Sequence, residues 1–163
     1  MKLFLARDLR LGTLCLLAAL ATLSAIAQFP PFATPTTPAA QHNALAGVQA
    51  QIGWLQNATR TAPNTPGGYD LLWQRFQEVR GAFNAFKGTL TPAQALYGAN
   101  DLAELDAALD IIQGAFTGCQ GDISNGRSSA LALRSLCQVL NQTATLWLQE
   151  LNQDCARMRV GRP

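Results

Sequence analysis

The chain has a single histidine, His42, and four cysteines, no two of them closer than 18 positions. One imidazole excludes a multi-histidine metal centre and leaves one candidate base for any serine or cysteine nucleophile. The wide cysteine spacing lacks the close pairs of a zinc site, and no CxxCH motif offers covalent haem attachment. No metal or cofactor is therefore expected. Charged residues make up only 13% of the sequence. The basic ones are scattered apart from Arg157, Arg159 and Arg162, so the cation clusters that neutralise phosphates are missing and no nucleic-acid partner is expected. No stretch of alternating β-branched residues suggests a sheet, which leaves an all-α fold. After residue 27 no apolar run reaches membrane length.

What the first 27 residues do contain is a basic start, "MKLFLARDLR", followed by the apolar run "LGTLCLLAALATLSAIA" ending in Ala25, Ile26, Ala27. Ala25 and Ala27 make the small-x-small pattern that signal peptidase reads, so cleavage before Gln28 is expected, with Cys15 leaving in the leader. The leader carries Lys2, Arg7, Arg10 and Asp8. Removing them from 12 basic and 10 acidic residues leaves nine of each, an uncharged mature balance. The expected organisation is a signal peptide over 1–27, a Pro-rich extended arm over 28–38, a helical bundle over 39–156 and a basic C-terminal tail over 157–163. A secreted or periplasmic location follows, with no membrane span once the leader is cut.

Helical periodicity organises the rest. Thr37 can cap a first helix with Pro38 at its first position, where a missing N–H costs nothing; the helix runs to about Thr61 with Leu45, Val48, Ile52 and Leu55 on one face. "PNTPGG" at 63–68 ends it, and Asp70 is expected to cap a second helix with the seam Leu72, Phe76, Val79, Phe83, Phe86 and Leu90. "TPAQ" at 91–94 reads as a capping box opening a short helical piece to Gly98. Asp101 with Glu104 predicts the start of a third long helix, carrying Leu102, Leu105, Leu109, Ile112 and Phe116. The fourth runs from about Ser128 to Ala156 with Leu133, Cys137, Leu140, Ala144, Trp147 and Leu151. Four such seams are buried most simply by an antiparallel four-helix bundle.

The cysteines carry the sharpest expectations. Cys119 continues the third seam and Cys137 lies on the fourth, so in an oxidising compartment a Cys119–Cys137 disulfide is expected. Cys137 and Cys155 stand five turns apart on one helix, about 27 Å, far beyond disulfide reach. Cys155 is then the odd thiol, expected to be partly exposed and to link a homodimer; a buried, inert Cys155 is the alternative.

Other groups offer less. Asp101, Glu104, Asp106 and Asp110 fall mainly opposite the apolar seam and read as a solvated face. Asn57 and Asn141 begin glycosylation triplets, both inside predicted helices. An up-down bundle would bring His42 beside Met158, an arrangement similar to that of soluble bundle cytochromes of the b type, so these two are the candidate haem ligands.

The leading reading is an exported, non-enzymatic helical protein that binds an unknown protein partner in the periplasm or cell envelope, such as a secretion or pilus assembly component. In its leader, its Gln- and Ala-rich helices and its small size it is similar to minor pilus-associated proteins of type IV secretion. That likeness covers no diagnostic motif and does not include the cysteines. The second reading is a small-ligand or haem carrier lined by Phe76, Phe83, Phe86, Phe116 and Trp147. An enzyme is disfavoured, since no nucleophile, base and orienting group can be named together.

Overall fold

The computed structural model describes residues 36–162; the expected leader, with Cys15, and the arm up to Pro35 lie outside the described residues. The described chain is helical throughout, with no strand among the described residues: α1 (Pro38–Thr61), α2 (Pro66–Lys87), α3 (Pro92–Tyr97), α4 (Ala99–Ser124) and α5 (Ser129–Arg157).

Local chemistry explains where the helices begin. The Thr37 hydroxyl accepts the Ala40 N–H at 3.2 Å, with Pro38 following in the first turn. At α3 the Thr91 hydroxyl accepts the Gln94 N–H while the Gln94 side chain accepts the Thr91 N–H, a reciprocal box that satisfies two orphan donors. Two starts differ from those read in the sequence. α2 begins at Pro66, four residues before Asp70, because Pro66 suits the first turn and Gly68 lets the helix start beneath the preceding loop. A Cβ on Gly68 would lie 1.9 Å from the Pro63 carbonyl oxygen. α4 begins at Ala99 rather than Asp101, since Gly98 both closes α3 and opens α4, so Asp101 falls in the first turn.

The seams pack as one core. Val48, Ile52 and Leu55 of α1, Leu72, Phe76, Val79, Phe83 and Phe86 of α2, Leu105 to Phe116 of α4 and Leu140 to Leu151 of α5 contribute side chains that are almost wholly buried. Each such Leu or Phe contributes about 1.5–3 kcal/mol of transfer free energy. The aromatic residues fill space against one another: Phe76 stacks on Phe116 at 5.4 Å and Phe83 meets Trp147 edge-on at 5.0 Å. Trp147 spends its one donor on the Leu105 carbonyl at 2.9 Å, so its burial leaves no orphan polar atom.

Polar pairs record how neighbouring helices align. Gln49 donates to Asn152 and Gln56 to Thr145, joining α1 to α5. Lys87 pairs with Asp106 at 2.7 Å, Arg80 with Asp110 at 3.3 Å, and the Tyr69 ring meets Phe116, joining α2 to α4. α5 meets α4 through Trp147 at Leu105 and Arg157 at Asp101.

Candidate functional site

α3 has six residues, too few to form both an inward and an outward face, and it is the one helix among those described with no buried residue. Leu96 is 81% exposed and Tyr97 71%, the highest values among the exposed large apolar side chains described. An isolated helix of this length would not persist in water. It is held from below by two glutamines.

Gln41, on the first turn of α1, is only 3% exposed. Its amide nitrogen donates to the Thr89 carbonyl at 2.9 Å and to Gln94 Oε1 at 2.6 Å, and its carbonyl oxygen accepts the Gly161 N–H at 2.9 Å. Gln94 serves twice, closing the α3 capping box and donating to the Met158 carbonyl at 3.4 Å. One buried side chain thereby ties the start of α1, the α2–α3 connection, α3 and the C-terminal turn. Met158 completes the join: a Cβ at Gly98 would lie 2.1 Å from its sulfur, so the thioether sits directly on the glycine backbone.

The segment anticipated as a basic tail folds back instead of running on. The Val160 N–H donates to the Cys155 carbonyl at 3.0 Å and the Arg159 N–H to the Ala156 carbonyl at 3.3 Å, the bond pair of a Schellman motif. Val160 packs on the core, and Arg159 occupies the left-handed position at φ 55°. α4 ends in the same way, with the Gly126 N–H on Ile123 and the Arg127 N–H on Asp122, but there the left-handed residue is Gly126 at φ 85°.

Between α3 and this turn lies an open cleft of about 490 Å³ lined by Ala93, Gln94, Tyr97, Arg157, Met158 and Arg159. Arg157 is balanced by the largely buried Asp154 and by Asp101 at 3.4 Å, and its hydrogen bond to Asp154 holds its proton more firmly than usual. Arg159 and Arg162 make no ion pair among the described residues, and both are exposed. The cleft thus offers the Tyr97 phenol and the Arg159 guanidinium, with Leu96 exposed beside Tyr97 on the same short helix. A second, smaller cleft of about 250 Å³ lies beside Trp54, where Arg75 stands 5.8 Å from the ring centroid but is already paired with Glu78 at 2.6 Å.

The residues singled out in the sequence are placed as follows. His42 is exposed, with its Cβ near Gly161, whereas Met158 is buried on Gly98; the cleft that Met158 lines does not include His42. The acidic group is dispersed, with Asp101, Asp106 and Asp110 each facing a different cation, and no cluster suited to a metal occurs among the described residues. The five aromatic residues proposed to line a cavity pack into the core.

Two cysteine expectations need correction. The Cys119–Cys137 disulfide is not formed, and Cys119, Cys137 and Cys155 are free thiols. Cys119 is buried on its seam as expected, but the inward row of α5 runs through Leu133, Leu136 and Leu140. Cys137, one residue on, is turned about 100° from Leu136 to the flank of the helix and is half-buried. Cys155 is not partly exposed but buried, as in the alternative reading: it is 4% exposed, because α5 keeps its seam to the end and Val160 folds back to its last turn. Burial, with Asp154 adding, pushes its thiol up to about 12, and burial raises Cys119 and Cys137 as well. A thiol so held is a poor nucleophile and a poor disulfide partner.

No protein-family model matches the chain, and neither a curated protein nor a solved structure matches it.

Leu96, Tyr97, Gln41 and Arg159 were not singled out in the sequence as site residues. The available signal was the pair Leu96-Tyr97 itself, two large apolar residues on a helical piece too short to bury them.

Proposed function

We propose that this chain is an exported, non-enzymatic helical protein that binds another protein in the periplasm or cell envelope, using the α3 end-face as its docking surface. The long helices are read as an antiparallel four-helix bundle whose task is to hold that surface rigidly. The polar pairs support this, since on α1 with α5, and on α2 with α4, one residue number climbs as the other falls. Binding rather than catalysis is supported by the makeup of the cleft, which gathers Arg, Tyr and Met but no nucleophile with a base.

The observation that carries the reading is the exposure of Leu96 and Tyr97 on a helix that buries nothing yet is tied through Gln41 to three other segments of chain. Exposed apolar side chains weaken solubility without aiding the fold, and Tyr and Arg are, with Trp, among the residues enriched at the energetic centre of protein interfaces. A photo-crosslinking residue at position 96, compared with one at exposed Ala46, tests it in the producing cell. One discrete adduct at 96 that disappears with Tyr97→Ser supports docking here, while equal labelling at 46 refutes it. Intact mass tests export: a mature chain starting at Gln28 is expected, and a product retaining residues 1–27 refutes cleavage.

A further inference from the structure

We infer that the segment docking on the α3 end-face is an acidic peptide, whose carboxylate pairs with Arg159 while a neighbouring apolar side chain lies against Leu96 and Tyr97. This rests on the docking reading above and adds the chemistry of the partner. Arg159 is the one non-glycine residue at positive φ among those described, and it stands at the left-handed position of a Schellman turn that Val160 closes. A left-handed conformation disfavours any residue with a Cβ, and glycine is the usual occupant. The same molecule supplies the comparison: the matching turn after α4 has Gly126 there. Packing does not require an arginine at this point, because its side chain is exposed and forms no ion pair among the described residues. Strain of this kind, held in place by surrounding contacts, gathers where a side chain must be aimed. Here it sets a guanidinium at the rim of the cleft that Tyr97 also lines.

The charge pattern selects the partner. Arg157 already has Asp101 and Asp154, so an incoming carboxylate meets Arg159, whose planar fork donates two parallel hydrogen bonds to the carboxylate oxygens. Exposed Arg162, whose N–H donates to the Arg159 carbonyl at 3.3 Å, adds a second positive charge to this turn. A basic or neutral peptide would leave Arg159 uncompensated while covering it, which opposes binding.

Selection of a random peptide library on the immobilised full chain, on Arg159→Gly and on Leu96→Ser/Tyr97→Ser tests both levels. Wild type is expected to enrich peptides with Asp or Glu next to Leu, Phe or Trp. Arg159→Gly should lose the acidic preference, keep the apolar one and bind the wild-type peptides at least tenfold more weakly. Its thermal midpoint should rise by roughly 2–5 °C, as strain is relieved. Enriched peptides that are apolar but not acidic would overturn the acidic-partner inference and leave docking standing. Enrichment unaffected by Leu96→Ser/Tyr97→Ser would overturn docking at this face and this inference with it. Sedimentation with phosphatidylglycerol vesicles, dependent on Arg159 and without any peptide enrichment, would replace the peptide by a lipid surface. A midpoint that falls in Arg159→Gly would show that the arginine stabilises the turn, and the strain reasoning would fail.

Discussion

Replacing Gln41 with leucine removes the clasp beneath the end-face while keeping the volume of the side chain close to its original value. Three good hydrogen bonds disappear: those to the Thr89 carbonyl, to Gln94 Oε1 and from the Gly161 N–H. A typical intramolecular hydrogen bond contributes about 1 kcal/mol net, and an orphaned buried donor costs about 1–3 kcal/mol. The C-terminal turn can limit the loss by opening so that Gly161 reaches water, and leucine regains some apolar burial. The expected net change is therefore about 2–3 kcal/mol of destabilisation, located at one end of the molecule. Urea unfolding followed by tryptophan fluorescence gives the total, and hydrogen exchange gives the location. The amides of Val160 and Gly161 should exchange much faster in Gln41→Leu, while those beside Phe83 and Leu140 change only in step with global stability. An unchanged midpoint with Gly161 still protected would refute the clasp. Uniform acceleration everywhere would mean that Gln41 supports the whole core and not the end-face.

Gly68→Ala forces a Cβ to within 1.9 Å of the Pro63 backbone oxygen, which has no rotamer by which to move aside, so a loss of about 2–4 kcal/mol is expected. Gly53→Ala, on an exposed turn of α1 with nothing within 4 Å of the new Cβ, should instead gain about 0.5–1 kcal/mol; melting curves of the two variants should move in opposite directions. Cys155 should resist aromatic-disulfide reagents until the chain unfolds, and non-reducing gels should run the same for wild type and Cys155→Ala. In the folded state its thiol keeps its proton to about pH 12, whereas an unfolded cysteine releases it near 9.0. The unfolded state therefore binds fewer protons between these values, and stability that is complete below pH 9 declines as pH rises. Cys119, Cys137 and Tyr69 are raised too and act in the same direction, so Cys155→Ala should reduce the alkaline decline without abolishing it.

The identities of the helices, and the face that each buries, were legible because both depend on neighbours a few residues away. Phe76, Val79, Phe83 and Phe86 fall on one side of any helix they occupy, and Thr91 with Gln94 closes a capping box wherever that segment lies. Local spacing leaves other choices open. Between Leu133 and Leu140, either Leu136 or Cys137 keeps a three-and-four step, and only the helices packed against α5 select Leu136 for the interior. The expected disulfide depended on the other choice. Asp70 looked like a cap because it precedes an apolar seam, but the room that Gly68 leaves for the Pro63 carbonyl allows α2 to begin a turn earlier.

The end-face belongs to tertiary structure almost entirely. Gln41 reaches residues 48, 53 and 120 positions away, and no local pattern indicates that a glutamine on the first turn of α1 will be buried by the chain's last residues. Arg159 enters the left-handed region because Val160 packs on the core and its N–H reaches the Cys155 carbonyl, so the strain is set by the docked turn and not by the residue's own preference. Sequence by itself determined helices and seams, since 3.6-residue periodicity and caps are short-range physics. Only the tertiary structure decided which polar side chain is buried and which thiols are hidden. It also decided that Leu96 and Tyr97 face solvent, because each of these depends on which distant segment covers a surface.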